Sequence, residues 1–99
     1  MSTVTQSADK VLAVLNVLLG HFAHGLTPGD LVKATGLAAS NITRAVATLE
    51  AAGFVERIPE TGRLRPSIRI ARAAVAILHS IEAAKARLDE INTRITTQL

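Results

Sequence analysis

His21 and His24 are three residues apart, a spacing that puts two ring nitrogens on one side of a helical turn, where they could share a metal ion. A metal site needs further ligands. No carboxylate or cysteine stands near them in the sequence, so they are read as partners of a helix end or as cover for a core. His79 is read as solvated. The chain has no cysteine, which excludes disulfides, thiolate metal sites, iron–sulfur clusters and a cysteine nucleophile. Serines, threonines and aspartates are present, but at positions that start helices, and no glycine-rich phosphate loop occurs. No catalytic residue, metal or cofactor is therefore expected, and the chain is not read as an enzyme. What remains is a hydrogen-bonding set: Ser40, Asn41, Thr43 and Arg44, with Thr48 a turn beyond. Arginines follow at 57, 63, 65, 69 and 72.

The 99 residues make about one domain, 48% hydrophobic and 19% charged, which is globular rather than disordered. Phe22 and Phe54 are the only aromatic residues, too few for a base-stacking platform of the single-strand kind. Residues 1–56 carry three bases and four acids, and residues 73–99 carry three of each. Residues 57–72 carry five arginines against Glu60 alone, so the excess positive charge sits in one strip. Such a strip suits a polyanion or is simply a solvated surface. Glu56 and Glu60 flank a turn among these arginines and are read as local ion-pair partners. No signal segment is evident, and the apolar runs fall short of the ~20 residues that span a bilayer. A cytoplasmic location is expected.

The elements that would position these residues follow from spacing. Residues 1–7 read as a flexible N-terminus, with Ser7 as a helix cap. Val11, Leu12, Val14, Leu15, Leu18, Leu19 and Phe22 form an apolar face of a first helix that Gly25 ends. Thr27-Pro28-Gly29-Asp30 is a helix start: Thr27 caps, Pro28 suits the first helical position and Asp30 the positive end. Gly36 closes that short helix. A third helix spans 39–52, with Ile42, Ala45, Val46 and Leu49 as its buried stripe and Gly53 as its stop. Residues 54–66 read as a hairpin: Phe54–Ile58 outward, a turn at Gly62, and Arg63-Leu64-Arg65 returning, with Pro66 limiting its length. Val55 and Arg57 would share one face, Phe54, Glu56 and Ile58 the other. The order is that of a winged helix-turn-helix, mainly α.

From Ser67 to Thr97 there is neither proline nor glycine. Ile70, Ala74, Ile77, Ile81, Ala84, Leu88, Ile91 and Ile95 recur at spacings of 4, 3, 4, 3, 4, 3 and 4. An unbroken heptad repeat predicts a coiled coil and hence a homodimer through these eight residues. The other option is a helix folded back on its own domain, and Val75 and Leu78 widen the stripe enough to pack the helix start there. The organisation is thus 8–68 as the winged helix and 69–99 as the dimerisation helix.

In a helix-turn-helix the N-terminal residues of the second helix meet base edges in the major groove. Asn41 suits adenine and Arg44 guanine, while Ser40 and Thr43 suit phosphate and Thr48 the far groove wall. Thr27 with the N–H groups that follow it, and Lys33, are candidate phosphate holders. Arg63 and Arg65 on the wing would reach backbone or an adjacent minor groove. Double-stranded DNA is the expected partner, on a two-fold site. A protein-assembly or architectural role for the same surfaces is the alternative.

Residues 8–72 resemble the winged-helix domain of IclR-type bacterial regulators. The resemblance is carried by Lys10-Val-Leu-Ala-Val-Leu15, Gly25-Leu-Thr-Pro28, Asp30-Leu-Val-Lys-Ala-Thr-Gly-Leu37, Arg44-Ala-Val-Ala-Thr-Leu-Glu50, Gly53-Phe-Val-Glu-Arg57 and Pro59-Glu-Thr-Gly-Arg63. It implies a dimeric operator binder, a repressor by default, with Ser40, Asn41, Thr43, Arg44 and the wing arginines toward DNA. The chain departs from that pattern at Ala38-Ala39, where Pro-Lys is frequent, and at Val32, where alanine is usual. The resemblance covers no effector-binding domain, so no small-molecule effector is expected. Such a pared-down regulator suits a bacterial or phage origin.

Overall fold

The computed structural model describes residues 3–97. Residues 1 and 2 of the expected flexible N-terminus, and 98 and 99 of the C-terminal segment, lie outside the described residues. Four helices and one hairpin run in the order α1 (Gln6–Leu18), α2 (Pro28–Thr35), α3 (Ala39–Ala51), β1 (Val55–Arg57), β2 (Leu64–Pro66) and α4 (Ile68–Thr97). This is a mainly helical winged helix followed by a long C-terminal helix.

α1 begins before Ser7. Thr5 holds the N-cap position without a side-chain cap bond, and Asp9 supplies the favourable charge of the first turn. Ser7 is therefore inside the helix, not its cap. The helix also ends sooner than its apolar pattern suggests. After Leu18 the backbone tightens, with Gly20 N–H donating to Val17 and His21 N–H to Leu18. Phe22 and Gly25 thus lie in the connection to α2. Gly25 has φ +68°, and a Cβ there would stand 2.5 Å from the Leu64 carbonyl oxygen. Only glycine allows the hairpin to approach this closely.

The start of α2 forms as its sequence demands. The Thr27 hydroxyl accepts from Asp30 N–H at 3.1 Å, and Asp30 Oδ2 accepts from Thr27 N–H at 3.0 Å. Gly36, at φ 72°, closes the helix in the left-handed conformation. α3 follows after three residues, 36–38, and ends at Ala51, one residue short of the expected boundary.

Val14, Leu18, Leu31, Ile42, Ala45, Val46, Leu49, Val55 and Leu64 form the core. All four stripe residues of α3 are in it. Leu12, Leu19 and Phe22 are not: they remain on the surface. β1 and β2 pair antiparallel, Val55 with Pro66 and Arg57 with Leu64. Pro66 is the last, fully buried residue of β2, where its missing N–H costs no ladder bond. The expected five-residue alternation of the outward strand stops at Arg57. Val55 and Arg57 share a strand face, but only Val55 is buried. Ile58, just past the strand, is buried, and its N–H donates to the Arg63 carbonyl. Leu26 exchanges both backbone hydrogen bonds with Leu64, each at 2.8 Å, so β2 is paired on both sides and the wing is tied to the α1–α2 connection.

α4 runs 30 residues, about 45 Å at 1.5 Å per residue, and contains no buried residue. Its first turns touch the body through Ile70 and Ala71, which are half-buried. Val75 and Leu78 are exposed, contrary to the expectation that they pack on the domain. Beyond Ala71 every described residue of α4 except Ala84 is exposed. No described helix is long and apolar enough to cross a membrane.

Candidate nucleic-acid interface

α2 and α3 hold the outward residues of α3 on a fixed frame, because Leu31 on one helix and Ile42, Ala45, Val46 and Leu49 on the other share the core. Asn41, Arg44 and Thr48, spaced at three and four, lie on one stripe. With Thr5, Gln6, Ser7 and Lys10 from the start of α1 they line an open cleft of about 600 Å³. Thr43 stands apart from that stripe, beside Pro28 and Arg57 at a small recess facing the wing. Lys10 and its neighbours on α1 were not legible as part of this surface, since nothing local in α1 announces which residues α3 will meet.

The hydroxyls differ in what they can still offer. Thr43 donates to the Ala39 carbonyl at 3.1 Å and Thr48 to the Arg44 carbonyl at 2.9 Å. A hydroxyl has one proton to give, so in this geometry both threonines present only acceptor lone pairs and a methyl group outward. Ser40 is exposed in the first turn of α3. Ala38 holds the N-cap of that helix with no side-chain cap bond, so its first N–H groups face outward uncapped. An acceptor such as a phosphate oxygen suits that end.

The start of α2 differs. Its capping box uses the Asp30 and Thr27 N–H groups, Pro28 has none, and Asp30 adds negative charge. Thr27's hydrogen bonds, first from the backbone and then from the side chain, hold the Asp30 carboxyl below its usual pKa, with Arg63 and Lys33 adding smaller contributions. Thr27 therefore offers an anion its hydroxyl proton but not its own N–H. Lys33 is exposed in the last turn of α2.

The arginine strip divides. Arg65 bonds Glu56 Oε2 through Nε at 3.1 Å and NH2 at 2.8 Å, and its guanidinium lies 5.3 Å from the Phe22 ring centre. Arg57 pairs with Glu50 at 3.3 Å. Arg69 donates to the Ala52 carbonyl, just past the end of α3, at 3.1 Å and sits 5.1 Å from the Phe54 ring centre. Arg63 and Arg72 make no ion pair among the described residues. Three of the five arginines thus brace the wing, α3 and α4 against one another. The expected Glu56 pairing forms, whereas Glu60 makes none among the described residues. Glu56 also accepts from Ile68 N–H at 2.9 Å, and the bonds from Arg65 and then Ile68 lower its pKa. Ser67 completes this junction, donating to the Gly53 carbonyl at 2.8 Å and accepting from Ile70 N–H at 3.4 Å. Among the described residues no group of three or more His, Asp or Glu side chains could hold a metal.

In a search of curated proteins, none matches the chain. Among solved structures, that of Pseudomonas aeruginosa HmgR superposes with a TM-score of 0.65 at 24% identity over 83% of this chain, which supports the shared fold. The chain spans 35% of that protein's length. The family model that matches, over residues 5–65, is that of the MarR family, not the IclR type. The motifs that carried the IclR resemblance include the capped start of α2 and its glycine stop, which build the winged helix seen here and so bear on the fold rather than on the family. The chain belongs to the MarR family, a family of winged-helix, DNA-binding transcriptional regulators.

Proposed function

We propose that the chain is a non-catalytic, sequence-specific reader of double-stranded DNA that represses transcription as a homodimer. α3 enters the major groove, and the wing lies on the flank. The carrying observation is the outward stripe of α3: a half-buried Asn41 and an exposed Arg44 next to an uncapped helix N-terminus, with no acid on α3 before Glu50. Ser40 and the first N–H groups of α3 hold phosphate, Asn41 and Arg44 meet base edges, and Thr48 offers its methyl group and lone pairs to the groove. Lys33, Thr27 and Arg63 add backbone contacts. Arg65 serves the wing's own structure first. Residues 8–68 do the reading. Residues 69–99 bring two readers together through Ile70, Ala74, Ile77, Ile81, Ala84, Leu88, Ile91 and Ile95.

The test is selection from a random duplex library with the full chain near physiological salt. An enriched inverted repeat, its half-sites one helical turn or a multiple apart, is the expected result. Retention without enrichment would make the protein an architectural binder. A folded chain that retains no duplex would shift the reading to protein assembly, which the internal use of three arginines also favours.

A further inference from the structure

Beyond its first turns the seam of α4 has no cover among the described residues. Ile77, Ile81, Leu88, Ile91 and Ile95 are between 49% and 67% exposed on a helix with no buried residue. Resting on the homodimer reading above, we infer that two α4 helices pair antiparallel, in the register that sets Ile70 opposite Ile95 of a second copy.

The sizes of the seam residues choose the direction. Two of the eight, Ala74 and Ala84, are small. Parallel helices in register place each seam residue against itself, which leaves Ala74 facing Ala74 and Ala84 facing Ala84. Each such layer is underfilled. Antiparallel helices in the stated register pair Ile70 with Ile95, Ala74 with Ile91, Ile77 with Leu88 and Ile81 with Ala84. Every alanine then meets an isoleucine, the alternation of large and small that fills a core. Sliding by one heptad either way strands Ile91 and Ile95, or Ile70 and Ala74, without a partner. The flanks agree: Ser80 comes beside Arg87 and Leu78 beside Lys85, so like charges do not oppose each other.

A separate feature of the body fits the same arrangement. Leu19, Phe22, Pro66, Ile70, Ala71 and Ala74 line an open apolar cleft of about 290 Å³ where α4 leaves the domain. Leu19 is 50% exposed and Phe22 36%. In the stated register Ile95 and Ile91 of the second copy arrive opposite Ile70 and Ala74, on the floor of this cleft. The same register sets the two Ile70 residues about 38 Å apart along the pair, at 1.5 Å per residue. That is close to the ~34–36 Å of one DNA turn. Arg69 ties the end of α3 to the start of α4, so pairing of the α4 helices sets the two readers relative to each other.

The experiment uses pulsed dipolar spectroscopy on the full chain, with a nitroxide on Arg72→Cys or Thr93→Cys. The chain has no other cysteine, and both positions are exposed on the face away from the seam. Circular dichroism confirms that each labelled chain keeps its helix content. Each singly labelled homodimer should give a distance above about 30 Å, because the labels are offset along the axis by ~32 Å. A mixture of the two labelled chains should add a short distance, about the ~20 Å width of two helices. Short distances in both homodimers, with the long one in the mixture, would overturn the antiparallel pairing and leave the homodimer standing. A chain that sediments as a monomer and shows no dipolar coupling would overturn both.

Discussion

In the free chain the Arg44 guanidinium donates a hydrogen bond to Asn41 Oδ1 at 3.0 Å. The two side chains of α3 best suited to base edges are thus held to each other, one turn apart. Arg44 keeps further donors for a guanine, while Asn41 has one acceptor already in use. Arg44→Ala should weaken binding to the selected site by about 1–3 kcal/mol and leave random duplex nearly unaffected. Titrations on the selected and a scrambled duplex check this. In a double-mutant cycle Asn41→Ala and Arg44→Ala should be non-additive, because they share this bond.

The two wing arginines should separate in the same assays. Arg63→Ala should weaken binding to every duplex alike and reduce the salt slope by about one phosphate's worth. Arg65→Ala should lower the melting temperature instead, since it releases Glu56 and the Phe22 ring together. If Arg44→Ala and Arg63→Ala weakened random duplex equally, the division between base reading and phosphate contact would fail.

Thr48 gives its proton to the Arg44 carbonyl, so its hydroxyl has no donor left for DNA. Thr48→Val keeps the methyl group and should preserve the selected sequence preference. A loss of preference in that variant, measured by competition between single-base variants of the site, would show that the hydroxyl turns outward on binding.

Glu56 links the wing to the start of α4, and its pKa is depressed by Arg65 and then by Ile68 N–H. A carboxylate whose folded pKa is lowered stabilises the fold above the ordinary glutamate value of ~4.3 and loses that contribution as pH falls through the lowered value. Glu56→Gln should therefore unfold at lower denaturant than the parent at pH 7. The two midpoints should converge as the pH drops below the ordinary glutamate range.

Two glycines with positive φ should respond differently to alanine. At Gly36 nothing lies within 4 Å of a new Cβ, so the cost is the left-handed backbone alone, about 1–2 kcal/mol. Gly25→Ala adds a collision with the Leu64 carbonyl and should lower the melting temperature much further. Paired thermal melts check the order.

Local signals in the sequence set the helices and their ends. The Thr27–Asp30 box, Pro28 and Gly36 specify α2, the stripe from Ile42 to Leu49 specifies the buried face of α3, and the unbroken heptads specify α4. Each acts within a turn or two of itself, which is why spacing alone reveals it. The identity of the outward residues on α3 follows from that stripe. Tertiary structure decided which arginines remain free for a partner, because Arg65 meets Glu56 across the hairpin and Arg69 meets Ala52 seventeen residues back. It decided that Phe22 leaves the first helix and lies against Arg65. It also placed Lys10 on the cleft that Arg44 lines and paired Leu26 with Leu64, joining segments whose approach no local pattern encodes. Propensity and periodicity act along the chain, whereas ion pairs, ring contacts and bridges between elements exist only once packing has fixed which surfaces face each other.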